Sequence, residues 1–330
     1  MEIDGTRVAA TQRFSPQQMH AAARMYYLEE ATQAQVAARL GTSRATVSRL
    51  LSEARRQGIV RIEVIPPEDV DNVDLAQRTA AALGLRTAEV VPHASPTEVG
   101  TAMAPAVSRA ILRAGLIAGE VLLVSSGRTV YEVAQGDLPA MPGVLVAPTV
   151  GGQDEPEAWY ATNEITRMVA AKIGGSPHFL YAPALPGPDL HAHLLQDPSI
   201  RRVSELWKQA RCAVVGLGAP PQVRQSIPRF VPTGGGWLRD AVGDVCTRFF
   251  DTEGKPVDYP GADRLLATPY EVLKRIPCVI AVAVGQEKVP GIVAGARAGW
   301  FNELVTDPPT ATALLAAVEA GSNGAVASAG

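Results

Sequence analysis

The 330-residue chain is poor in cysteine, nearly balanced in charge and without a long apolar run. Its three cysteines, Cys212, Cys246 and Cys278, have no C-x-x-C spacing, so nothing indicates a thiolate metal site. Each lies in an apolar, strand-like stretch and reads as a reduced core thiol. The odd count, with no leader-like segment, points to the cytoplasm. No apolar segment reaches the roughly 18–20 residues of a membrane span, so no membrane partner is expected. Charged residues at 19% beside 47% hydrophobic side chains argue against global disorder. That composition and length suit two or three domains with a sizeable core.

The charge that is present is unevenly placed. Between Gln33 and Arg61 stand six arginines (39, 44, 49, 55, 56 and 61) and one acid, Glu53, a local net charge of +5. The whole chain carries −3, so the remainder carries −8. A basic head on an acidic body is the asymmetry of a protein that meets nucleic acid through one domain.

The head reads as three helices. Residues 1–14 show no period and are expected to be loose. Ser15-Pro16 is an N-cap followed by proline at the first helical position, predicting a helix to about Glu30 that buries Met19, Ala22, Ala23, Tyr26 and Tyr27. Thr32 caps a second helix, Gln33 to Leu40. Gly41 breaks it, and a third helix runs from Ser43 to Gly58, a C′ glycine. Ala37, Gly41, Val47 and Leu50 carry the spacing of a helix-turn-helix: a small residue at the close approach, a glycine in the sharp turn, and two apolar residues one turn apart. Leu51 and Ala54 extend that stripe. The opposite face carries Arg44, Ala45, Ser48, Arg49, Ser52 and Arg55. Thr42, Ser43, Arg44, Ala45, Thr46, Ser48 and Arg49 are the candidate DNA contacts, since short polar groups reach base edges and arginines fork onto guanine or phosphate. "IVRIEVI" alternates like a strand, and Pro66-Pro67 closes the unit, giving a head over 15–67.

Beyond a linker helix over 68–86, short apolar runs alternate with amphipathic stretches as far as residue 320. The runs include "EVLLVSS", "GVLVAPTVG", "HFLYAPAL", "CAVVGLG", "VCTRFFD", "CVIAVAVG" and "ELVTD". Helical patterns fall at 98–114, 129–135, 161–173, 198–210, 290–299 and 310–320. Such alternation predicts an α/β body, a Rossmann-like doubly wound parallel sheet with helices on both faces. The small, polar residues 321–330 are expected to form a flexible tail.

"QVAARLGTSRATVSRLLSEARRQGIVRIEV", "VSSGRTVYEVA", "APTVGG", "FLYAPA", "AVVGLG", "VGDVCTRFFDTEGKPV", "VIAVAVGQEK" and "LVTD", in this order and spacing, resemble the SorC family of bacterial sugar-responsive transcription regulators. The resemblance spans about residues 15–320. It implies a body similar to glucosamine-6-phosphate deaminase and ribose-5-phosphate isomerase, a sugar or sugar phosphate effector, and a homo-oligomer, a tetramer built as a dimer of dimers. No cofactor is implied.

Within that body, Ser125, Ser126, Gly127, Arg128 and Thr129 place hydroxyls and backbone N–H groups between a strand and a helix N-terminus, an arrangement suited to an anion. Asp244 in "VGDV" and Lys288 in "GQEK" match family positions that face the ligand, and Asn163 either touches ligand or orients its loop. Gly234-Gly235-Gly236 suggests a mobile flap over the pocket. Val150 and Val284 stand where relatives differ and are expected to shape the pocket. His191 and His193 share a face only on a strand, which makes a metal site a weak reading. The resulting expectation is a DNA-binding regulator, repressing until its effector binds. Two alternatives stay open: an isomerase- or deaminase-like enzyme using Asp244 or Asp251, and a DNA-binding oligomer with a vestigial pocket.

Overall fold

The structure, a computed structural model, describes residues 14–61, 70–92, 99–224 and 227–327. The chain divides into two compact units, Met1–Pro67 and Glu68–Gly330.

The first unit is helical. Helix α1 (Pro16–Ala23) starts in a capping box: the Ser15 hydroxyl accepts from Gln18 N, and the Gln18 side chain accepts from Ser15 N. It continues as a π-helical turn over Arg24–Leu28. Thr32 and Gln35 repeat the capping box for α2 (Gln33–Arg39). Ser43 caps α3 (Arg44–Arg56) by accepting from Thr46 N at 3.1 Å. Between α2 and α3 the backbone turns through Gly41 at φ 61°, which a side chain would strain. Val47, Leu50, Leu51 and Ala54 are all buried and close a small core with Met19, Ala22, Val36 and Ala37. Tyr26 and Tyr27 are only partly buried at its edge. The strand expected over 59–65 lies outside the described residues from position 62 on, as do residues 1–13, for which a loose N-terminus was expected.

The second unit is the doubly wound body. Its strands are β1 (Thr87–Val90), β2 (Val121–Val124), β3 (Leu145–Pro148), β4 (Ser176–Pro177), β5 (Ala210–Gly218), β6 (Gly243–Val245), β7 (Arg248–Phe250), β8 (Cys278–Val282) and β9 (Glu303–Thr306). The parallel order is β1-β9-β8-β5-β2-β3-β4, with β6 and β7 forming an antiparallel hairpin on the end of β5. The central strands β2 and β8 are buried on both faces, and β5 is largely so. Leu122 and Val124 point into one core with Cys212, Ile280 and helices α5 (Val99–Arg113), α6 (Arg128–Gln135) and α7 (Thr162–Ile173). Val121 and Leu123 point into the other, with Val215, Ala281 and helices α9 (Pro198–Gln209) and α11 (Val289–Ala298). A short helix, α8 (Pro188–Leu194), precedes α9, and α10 (Tyr270–Leu273) precedes β8. This two-sided burial is why the strands read as continuous apolar runs.

Four segments differ from the sequence expectation. Helix α4 (Val70–Leu83), read as a linker, packs on β1 and on α12 (Pro308–Ala327), burying Thr79 and Leu83. The run over 178–185 contributes only a single bridge, Gly152 to Pro183, and Pro183 has no N–H with which to extend a ladder. "VCTRFFD" is a hairpin rather than one strand. The tail expected from 321 is helical to Ala327, with 328–330 outside the described residues. No helix among the described residues is long and apolar enough to cross a membrane.

Trp300 anchors the body core beneath the hairpin. It is fully buried, its Nε1 donates to the Gly254 carbonyl at 2.8 Å, and its ring lies 4.8 Å from Phe250 and 4.3 Å from Tyr270. Trp300→Ala is expected to remove about 3–5 kcal/mol of stability. Urea unfolding of the variant checks this; a midpoint equal to that of the parent chain would contradict the role.

Candidate functional site

Strands β2 and β5 are neighbours, but their outgoing connections diverge. The chain leaves β2 toward β3 and β4, and leaves β5 toward β8 and β9. A crevice therefore opens beyond their carboxyl ends, the position at which open α/β sheets bind ligands. A cavity of about 530 Å³ occupies it.

Six of the eight effector residues expected from sequence line this cavity: Ser126, Gly127, Arg128, Thr129, Asp244 and Lys288. Ser126 accepts a hydrogen bond from Gln153 Nε2 at 2.7 Å. Arg128 lies over the ring of Trp159, another lining residue, 4.6 Å from its centroid in a cation–π contact. The N–H of Gly127 donates to the Trp159 carbonyl at 2.8 Å. The N–H groups available to an anion are thus those of the first α6 turn, beginning at Arg128.

Ser125 and Asn163 do not line the cavity. Ser125 is buried as a brace between strands: its hydroxyl accepts from Gly216 N and donates to the Ser126 carbonyl, both at 3.0 Å. Asn163 clamps the backbone of Leu180, accepting from its N–H at 3.0 Å and donating to its carbonyl at 3.2 Å. With its amide used on both sides, it orients the loop. Val150 is fully buried and Val284 packs against the core under α5, so neither shapes the cavity. Gly234–Gly236 form surface turns and are not among the lining residues.

Asp244 sits on β6 opposite Gly218 at the end of β5. One carboxylate oxygen accepts from Thr247 N at 3.0 Å, and the other pairs with the Arg224 guanidinium. The Thr247 bond holds a two-residue turn in which Cys246 and Thr247 have φ 54° and 64°. A hairpin of this hand needs positive φ at both residues, yet neither is glycine or asparagine. Tyr259 supports the turn by donating to the Thr247 carbonyl at 3.3 Å. Burial pushes the Cys246 thiol up to about 12, so it stays protonated. Lys288, at the start of α11, is held below its ordinary range by burial, with neighbouring Glu287 opposing that shift. Among the described residues its ammonium makes no ion pair or hydrogen bond. Gln153, Trp159, Arg224 and Glu287 were not foreseen as site residues. "GLGAPP" (216–221), which leads from β5 toward Arg224, lacks the third glycine of a dinucleotide-binding fingerprint. The lining carries Arg128, Arg224 and Lys288 against Asp244 and Glu287, an excess of one positive charge.

Asp251 does not enter the cavity. Its carboxylate accepts from Glu253 N at 2.9 Å and Lys255 N at 3.0 Å, shaping a turn. His191 and His193 lie on α8, where residues two apart diverge, and no group of three metal-ligating side chains occurs among the described residues.

On the head, Arg44, Ala45, Ser48 and Arg49 are exposed along one face of α3. Ser43 and Thr46 share the N-cap, and Thr42 is half-buried in the turn. Glu29 neutralises Arg24 and Arg39, at 3.4 and 3.0 Å, and Glu53 pairs with Arg56. Among the described residues, Arg44, Arg49 and Arg55 have no carboxylate partner, which leaves the positive charge of α3 concentrated on its outward face.

Comparison with known proteins covers both units. Residues 68–316 match the family model described as "Putative sugar-binding domain", and residues 16–57 match "Sigma-70, region 4". The Sorbitol operon regulator of Klebsiella pneumoniae is 30% identical over 312 residues, 89% of this chain and 96% of that one. The Deoxyribonucleoside regulator of Bacillus subtilis is 31% identical, again over 89% of this chain and 96% of the relative. The crystal structure of full-length SorC from Klebsiella pneumoniae superposes with a TM-score of 0.77 at 30% identity, covering 92% of this chain and 100% of that one. Two family matches in the same order as the two units, with relatives similar along nearly their whole length, place this chain in the SorC family of DNA-binding transcription regulators with a sugar-binding domain.

Proposed function

We propose that this regulator binds operator DNA through the α3 face and responds to a sugar or sugar phosphate held in the cavity beyond β2 and β5. The observation that carries the reading is the convergence on one crevice of Ser126, Thr129, the α6 N-terminus, Asp244 and Lys288. A carboxylate suits hydroxyl donors, while an N-terminal helix turn and an excess cation suit an anionic group. The assignment as a regulator without catalysis is supported by the turn-forming use of Asp251 and by relatives named as regulators. The response we favour is repression relieved by effector: ligand shifts the population between DNA-competent and incompetent arrangements by its differential affinity for them. A single head offers few phosphate contacts, so useful affinity calls for a homo-oligomer, which we take to be a tetramer of two dimers, working in the cytoplasm.

Two sets of substitutions test the two halves separately. Arg44→Ala and Arg49→Ala should each weaken operator binding by about ten-fold or more at fixed salt. Each should also flatten the plot of log affinity against log salt by roughly 0.9 for every phosphate left without its arginine. Gel-shift titration against sites selected from genomic fragments measures both; unchanged affinity would place the recognition face elsewhere. Thr129→Val and Lys288→Ala should leave DNA affinity intact while abolishing the effect of ligand on it. A thermal-shift screen against sugars, polyols and their phosphates supplies the ligand, since one that binds the native state raises Tm. A full ligand response in both variants would remove the cavity from the mechanism.

A further inference from the structure

Two of the three cysteines stand side by side. In the parallel pairing of β5 with β8, Cys212 and Cys278 are direct partners, and both side chains enter the core shared with α5. Neighbouring strands lie about 4.8 Å apart, within the Cα separation of about 4.4–6.8 Å that a disulfide spans. The register of β5 on β2 shifts between Val121 and Leu122, which leaves Arg211 as an extra residue just before Cys212. Such an irregularity disrupts the ladder locally and gives the Cys212 backbone room to adjust. Both thiols lie at the amino ends of their strands, opposite the crevice. Cys246 lies apart from them, in the other core.

Cys278 does not have purely apolar surroundings. Its Sγ donates to Glu303 Oε1 at 3.7 Å, and the same oxygen accepts from Arg86 Nε at 3.0 Å. The other Glu303 oxygen pairs with Arg113 at 3.2 Å. The Arg86 guanidinium also reaches the Cys278 sulfur. Glu303 is buried, but the Arg86 side chain is 50% exposed, so one movable ion pair covers the thiol. The hydrogen bond from Cys212 holds the Cys278 thiol below its ordinary range, with Arg86 assisting and burial and Glu303 opposing. The same bond, with burial adding to it, holds the Cys212 thiol well above its own range. One sulfur beside a guanidinium and a second sulfur in bonding reach are the parts of a peroxide-reactive pair.

We propose that Cys212 and Cys278 form a modification site, a dithiol that a hydroperoxide converts to a disulfide joining β5 to β8. Peroxide reaches the buried sulfur when Arg86 swings off Glu303. Cys278 attacks one peroxide oxygen, the O–O bond breaks, and the departing hydroxide leaves as water with the Cys278 proton. Cys278 is then a sulfenic acid. Cys212 attacks that sulfur, the S–S bond forms, the S–O bond breaks, and a second water carries off the Cys212 proton. The two thiols are oxidised by two electrons, and the peroxide is reduced to water. A dithiol reductant reverses the change. The bond would join the two strands whose far ends lead to the β6–β7 hairpin and to Lys288.

The experiment exposes the reduced full chain to hydrogen peroxide in slight molar excess, denatures it in N-ethylmaleimide and reads the digest by mass spectrometry. The Cys212 and Cys278 peptides should appear joined, lighter by the two hydrogens lost, and should separate in dithiothreitol. Burial pushes the Cys246 thiol up to about 12. Cys246 should therefore be alkylated and at least about ten-fold less oxidised than Cys278. In Cys212→Ser, Cys278 should accumulate as a sulfenic acid that dimedone traps; in Cys278→Ser, Cys212 should stay reduced. The parent chain alone decides whether the pair forms. The variants, checked for folding by circular dichroism, decide which sulfur attacks. Alkylation of all three thiols after peroxide overturns the assignment, as does a bridge to Cys246, a covalent dimer on a non-reducing gel, or sulfenic acid without a bridge in the parent chain. Dimedone labelling of Cys212 in Cys278→Ser overturns the role given to Cys278.

Discussion

The body depends on a constraint of parallel sheets: two adjacent strands whose connections leave in opposite directions cannot be covered by either connection. Here those strands are β2 and β5. Everything used by the candidate site reaches it from that parting. The loop after β2 delivers Ser126, Arg128 and Thr129, and the end of β5 delivers Gly218. The hairpin laid on β5 delivers Asp244, and the joint after β8 delivers Lys288. Apolar burial on both faces of the sheet fixes these strand ends rigidly, so polar groups from distant parts of the chain meet without a scaffold of their own.

Polar groups gathered in a half-buried crevice must satisfy one another. Asp244 illustrates how. It secures the backbone of a strained hairpin turn through Thr247 and neutralises Arg224 at the same time. A carboxylate doing both cannot be removed without leaving an uncompensated buried guanidinium and a turn without its tether. One residue therefore holds both the turn and the ion pair, and any ligand that engages Asp244 also acts on the pairing around it.

The head follows different rules. It is small, and its core depends on the buried Ala37 of α2 packing against α3 and on Gly41 taking the positive φ of the turn between them. Its charge is arranged by subtraction. Glu29 and Glu53 neutralise arginines at the sides, leaving Arg44, Arg49 and Arg55 facing outward on α3. The net positive potential is thus directed along one helix face, as contact with a phosphate backbone requires.

Much of this was determined locally and is legible in the sequence. Capping boxes at Ser15 and Thr32, the Gly41 turn and the 47-50-51-54 stripe are neighbour effects, so the head could be read directly. Short apolar runs and period-3.6 patterns likewise marked most strands and helices of the body. Where Pro183 interrupted the run over 178–185, or a two-residue turn folded "VCTRFFD" back on itself, apolarity alone misread the element. The candidate site was partly legible because Ser126–Thr129 occupy a strand-to-helix joint, a local signature, whereas Asp244 and Lys288 were picked out only by resemblance to the family. Tertiary structure alone decided that Asn163 clamps Leu180, that Ser125 braces β2 against β5 and that Val150 is core. It alone brought Arg224 onto Asp244, twenty residues away in sequence, across the close approach that Gly218 permits. Propensity and periodicity depend on residues a few positions apart. The pairing of two buried charges depends on which strands lie side by side, and that is set by the packing of the whole sheet.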